Sequence, residues 1–174
     1  MGSDMAIGVI NRDCFNNADL DALVTHIVLF GGPEDEASGP SAVLHWRMLL
    51  RLEGGGSVTL NMIPQGRPSL DGVLFVRSNK STIPPDSIDA CVYETARPIT
   101  VDAILAFIQR NKLHRYRYDA CGSGCRWWCY CVLDDMASTG IVPKGSGHKY
   151  WAHIGILADL DPMRYPDWRR GEFM

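Results

Sequence analysis

Four of the six cysteines, Cys121, Cys125, Cys129 and Cys131, fall within one short stretch, and Cys125 directly follows Gly122-Ser123-Gly124. A cysteine in the first turn of a helix sits among unpaired backbone N–H groups and at the positive end of the helix dipole. Both favour the thiolate and so lower the pKa of the thiol. The glycines before it let the backbone turn tightly and bring amide donors close to a reacting carbonyl, as an oxyanion hole requires. Cys121 is a rival nucleophile, because a helix beginning one turn earlier puts it at the N-terminus. Cys125 also fits an apolar helix face as a small core residue. Cys129 and Cys131, farther inside the helix, read as core positions.

A thiol nucleophile needs a base from elsewhere in the chain. His45 lies in Leu44-His45-Trp46-Arg47, where strand alternation puts Val43, His45 and Arg47 on one face and Leu44, Trp46 and Met48 on the other. His45 is then on the more polar face and can meet a helix or a cleft; a structural histidine bonded to backbone is the alternative. Asn61 alternates with Thr59 and Ile63 across a Gly-rich turn, and a polar residue inside a strand wants a partner. It is placed to orient an imidazole. Trp46, Arg47, Tyr118, Arg126 and Trp128 are the candidate substrate contacts. His114-Arg115-Tyr116-Arg117-Tyr118 interleaves bases with aromatics, a pattern for clamping an anion or for a solvated strand with paired charges.

These residues need elements to hold them. Val24–Phe30 is apolar and β-branched and ends at Gly31-Gly32-Pro33, with a loop expected through Pro40. Val43–Leu52 and Ser57–Ile63 flank Gly54-Gly55-Gly56 and read as a hairpin. Gly72–Ser78 and Cys91–Ala96 extend the pattern across a Pro84-Pro85 break, giving an antiparallel sheet of about five strands. The period then changes. Thr100 caps a helix over 100–111 with Val101, Ile104, Leu105 and Ile108 on one face. Arg115–Tyr118 is extended. Ser123 is expected to cap a second helix in which Cys125, Trp128, Cys129, Val132 and Met136 share a face, closed by Gly140 and Pro143. Gly147–Asp159 is a third helix or a strand. Residues 1–22 read as irregular and 160–174 as a tail, around a single domain of α+β class with two to three helices on one face of the sheet.

The 174 residues, 46% of them hydrophobic, suffice for one core. A formal net charge of -3 removes the basic footprint of a nucleic-acid binder. No stretch approaches the length of a membrane span, and the first residues carry no secretory pattern, so a cytoplasmic protein with reduced thiols is expected. Cysteine gaps of three, three and one on one helix do not give the paired turns of a zinc site. No phosphate-cradling glycine motif is present. The expected partner is a small-molecule substrate, with no metal and no cofactor.

A His-Trp strand, a neighbouring strand with a polar residue and a helix opening with cysteine together resemble the circularly permuted papain-like arrangement, as in the lecithin retinol acyltransferase-like family. There the histidine precedes the cysteine. VLHWRMLL, SVTLNM and GSGCRWW also resemble a group of small fungal proteins of uncharacterised function, often single domains. The first resemblance implies thiol hydrolase or acyl-transfer chemistry with Cys125 as nucleophile, His45 as base and Asn61 as orienter. The chain departs from that family in having Gly124-Cys125 where an Asn-Cys start is usual. Two other readings stand beside it. One is a non-covalent cyclase or isomerase of pericyclase type, from fungal specialised metabolism, using the same pocket. The other is a binding module in which Cys125 only packs.

Overall fold

The structure, a computed structural model, describes residues 8–33, 43–66, 69–83 and 86–174. The elements in chain order are β1 (Val9–Cys14), β2 (Val24–Gly32), β3 (His45–Leu52), β4 (Ser57–Gly66), β5 (Ser69–Asn79), β6 (Asp89–Glu94), α1 (Val101–Arg110), β7 (Tyr116–Arg117), α2 (Cys125–Ser138), α3 (Ser146–Leu160) and β8 (Glu172–Phe173). The eight strands form one sheet in the order β6-β2-β3-β4-β5-β7-β8, with β1 paired in parallel to β5 and every other neighbour antiparallel. The α+β class stands. Five strands become eight because β1 lies in the segment expected to be irregular and β7 and β8 are two-residue ladders. Strands that short show no alternation to read. The Pro84-Pro85 break and most of the loop through Pro40 lie outside the described residues.

Alternation decides which face of the sheet is covered. Trp46, Met48, Leu50 and Leu52 of β3 and Val58, Leu60 and Met62 of β4 enter one continuous core with Ile104 and Ile108 of α1, Trp128, Cys129, Val132 and Met136 of α2, and Tyr150 and Ile154 of α3. The alternate residues Val28, Phe30 and Leu49 form a small separate cluster on the opposite face. Thr100 caps α1 as expected, its side chain accepting from the Ala103 N–H at 3.2 Å. The segment 147–159 is resolved as helix. Among the described residues no helix is long and apolar enough to cross a membrane.

The β3–β4 ladder ends early, and the site is built at its end. Paired residues run from Arg51–Ser57 to Met48–Leu60 and stop, although β4 continues along β5 to Gly66. Leu52 N–H donates to Gly56 at 3.1 Å, and hydrogen-bonded antiparallel pairs recur every second residue. The next such pair past Met48–Leu60 would join Trp46 to Met62. Both groups are satisfied elsewhere: Trp46 N–H donates to Cys125 Sγ at 3.5 Å, and the Met62 carbonyl accepts from the Tyr118 hydroxyl. The N-terminus of α2 thus sits where the two strands part.

Candidate active site

Cys125 is the first residue of α2, and Cys121 lies in the loop before it. The expected Ser123 cap is not formed. Gly124 is the N-cap, with φ of 141° and no side-chain cap bond. Asp119 takes over the loop instead, its Oδ1 accepting from Cys121 N–H at 3.0 Å and Ser123 N–H at 2.8 Å. An acidic side chain bonding forward into its own turn competes with the serine as the local acceptor. The uncapped first-turn N–H groups of α2 are left for whatever occupies the space in front of Cys125.

His45 opens β3, where the strand has already left β4, so its ring reaches across the gap. Its Nε2 lies 2.7 Å from Asn61 Oδ1 on β4. Nδ1 is then the ring nitrogen that faces the Cys125 thiol, with which His45 also hydrogen-bonds. With Asn61 accepting, Nε2 carries the proton and Nδ1 accepts from the thiol or holds a second proton. The three sequence candidates Cys125, His45 and Asn61 are brought into one line.

The electrostatics of the pair follow from that contact. Burial alone would push the Cys125 thiol up, but the hydrogen bond and charge of His45, the Trp46 N–H and the Arg126 charge outweigh it, and the thiol lies below its ordinary value. Burial likewise opposes the imidazolium, yet the interactions with Cys125 and the bond to Asn61 raise His45 above its ordinary value. The shifts are reciprocal, as expected of a thiolate–imidazolium pair. Buried Cys129 is pushed well above the ordinary thiol range, and burial lifts Cys131 to about 12.

A cavity of about 450 Å³ opens in front of the thiol, walled by Leu44, His45, Pro64 and Tyr118, by the loop 121–124, and by Pro166, Asp167 and Arg169. Of the five candidate substrate contacts, Tyr118 and Arg126 line it. The other three candidate contacts do not. Trp128 is fully buried, its indole N–H donating to the Leu113 carbonyl at 2.8 Å, because its helix position faces the core. The Trp46 ring packs on Tyr150 in the core, and only its backbone N–H touches the thiol. Arg47 points to the opposite face, pairing with Asp86 at 2.7 Å and donating to the Pro33 carbonyl. Residues 166–169 were missed because a proline-rich segment without period gives no sign of where it docks. Tyr116 and Tyr118, read as part of a clamp or a solvated strand, are both buried. Among the described residues no three His, Cys, Asp or Glu side chains gather in a metal-holding cluster.

Residues 26–174 match a family described as a domain of unknown function (DUF7770). No curated protein and no solved structure matches the chain.

Proposed function

The chain belongs to the DUF7770 family, whose description names no activity, and we propose from the site's geometry that it is a thiol-dependent hydrolase or acyl transferase acting on a small acyl or amide substrate. The observation that carries this reading is the line Cys125–His45–Asn61 at the helix end, with the thiol lowered and the imidazole raised. The order of the three elements supports a permuted papain-like fold: the histidine strand, the orienting strand, then the cysteine helix. The chemistry is that of an activated thiol. Cys125 Sγ attacks the carbonyl carbon, and the C=O π pair moves onto oxygen beside the Cys125 N–H. His45 passes its proton to the departing amine or alcohol, leaving a thioester on Sγ. Water or an amine, deprotonated by His45, then attacks the thioester, and the thiol and imidazole are regenerated. Asn61 keeps the ring aligned throughout.

The test is acylation by p-nitrophenyl acetate with mass spectrometry of the quenched protein. One p-nitrophenol released in a burst per chain, with acetyl on Cys125 and no burst in Cys125→Ala, is the expected result. Acetyl on Cys121 instead, or no burst, overturns the reading. A non-covalent isomerase would leave the protein unmodified.

A further inference from the structure

Tyr116 is fully buried and is not among the groups that the chemistry above requires. Its hydroxyl donates to the Gly124 carbonyl at 2.8 Å and accepts from the Gly171 N–H at 2.9 Å. The phenol therefore ties the peptide unit that precedes the nucleophile to the segment 162–174. Around it that segment is fastened repeatedly. β8 pairs with β7, Met174 N–H donates to the Arg115 carbonyl, and Trp168 stacks on Trp151 at 3.4 Å between ring centroids. Arg126 donates to the Pro166 carbonyl at 2.6 Å, and its guanidinium lies 5.0 Å from the Trp168 ring centroid.

Both glycines at the junction are there for space. A Cβ on Gly124 would stand 2.6 Å from the Tyr116 hydroxyl, and one on Gly171 would stand 2.4 Å from Tyr116 Cζ and 2.2 Å from the Arg117 carbonyl oxygen. A peptide is planar and trans, so its C=O and N–H point in opposite directions. The Gly124 carbonyl is held inward by the Tyr116 hydroxyl and by Trp128 N–H at 3.0 Å. The N–H of Cys125 is consequently directed out of the helix end, toward the thiol's cavity.

We infer that Tyr116 is a positioning residue for acyl transfer: it aims the Cys125 N–H at the oxyanion, and the strap 162–174 holds it in place through Gly171 while walling the substrate cavity. This rests on the acyl-transfer reading and extends it. Burial keeps the phenol well above its ordinary range, so it remains a protonated donor throughout the working pH.

Two reactions of the same thiol separate this role from a structural one. Attack on p-nitrophenyl acetate develops an oxyanion, whereas alkylation by iodoacetamide is a displacement at saturated carbon that develops none. In Tyr116→Phe the acylation rate should fall about 10- to 100-fold, less than the ~10²–10³ that removal of a whole oxyanion donor costs, because the Cys125 N–H stays in place and only loses its aim. The alkylation rate and its pH profile should stay as in wild type. Gly171→Ala, which pushes the strap off the ring, should lower acylation in the same way, and the double variant should lose little more than Tyr116→Phe alone. Acylation unchanged in Tyr116→Phe, or acylation and alkylation falling together, overturns the inference. A full rate in Gly171→Ala overturns the strap's share in it. A wild-type thiol inert to both reagents removes the acyl-transfer reading and this inference with it.

Discussion

The pair Cys125–His45 fixes how the site must respond to pH. Alkylation needs the thiolate, so its rate falls as pH drops through the pKa of Cys125, which lies below the ordinary thiol value. Acyl transfer also needs the imidazolium as proton donor, so turnover falls again as pH rises through the raised pKa of His45. Turnover is expected to be bell-shaped and alkylation to show the acid limb alone, with both inflections belonging to the coupled pair. In His45→Ala the two largest contributions that lower the thiol are lost and burial is opposed only by the Trp46 N–H and the Arg126 charge, so the acid limb should move up in pH. Iodoacetamide rates against pH measure it; a limb that stays in place would remove His45 as the partner. Asn61 contributes to the raised His45 value, so Asn61→Ala should bring the alkaline limb of turnover down in pH. The contact of His45 with Asn61 fits the strand parity read from sequence, since a histidine and an asparagine on like faces of a hairpin can meet, whereas parity left a structural histidine and a plain strand position equally open.

At the scale of elements, the decisive feature is the parting of β3 from β4, and it leaves no mark on the sequence. The hairpin itself was readable from its three glycines and alternation, and α1 and α2 from their period, whereas the segment 147–159, which lies in α3, left helix and strand both open. The end of a ladder is decided by what inserts there, here Cys125 at Trp46 and Tyr118 at Met62. The same blindness explains Ser123, displaced as the cap by Asp119 bonds that depend on how the loop folds back. Trp128 was misassigned for the opposite reason, because the helical spacing that grouped it with Val132 and Met136 already placed it in the core. Tyr118→Phe tests the account of the split strands. It takes the hydroxyl donor from the buried Met62 carbonyl, a loss of about 1–3 kcal/mol, and the urea midpoint should fall with an unchanged slope. A midpoint within experimental error of wild type would show that another group holds β4 open at that point.

For the molecule as a whole, the question is whether the site rides on one cooperative unit or on a separable helical part. One core cluster joins β2 to β5, all three helices, and Tyr165 of the strap. Cys129 lies at its centre, fully buried on α2 one turn from the nucleophile, with its thiol pushed far above the ordinary range. It can react only when the core opens. Cys14 and Cys121 are exposed and should label in the native state, with Cys125 faster than either. Under conditions where reclosing outruns labelling, the slowing of Cys129 relative to the unfolded chain gives the free energy of the opening that exposes it. For a single core this should equal the global unfolding free energy from urea, within about 1 kcal/mol on a total of roughly 5–15 kcal/mol. It should also fall with urea along the same slope. If α2 and α3 could leave the sheet together, Cys129 would label through an opening several kcal/mol cheaper, with a shallower urea dependence. The thiol–imidazole pair would then form and break in the native ensemble, because Cys125 travels with α2 whereas His45 and Asn61 stay on the sheet. Agreement of the two free energies means that the nucleophile is held against its base for as long as the protein is folded.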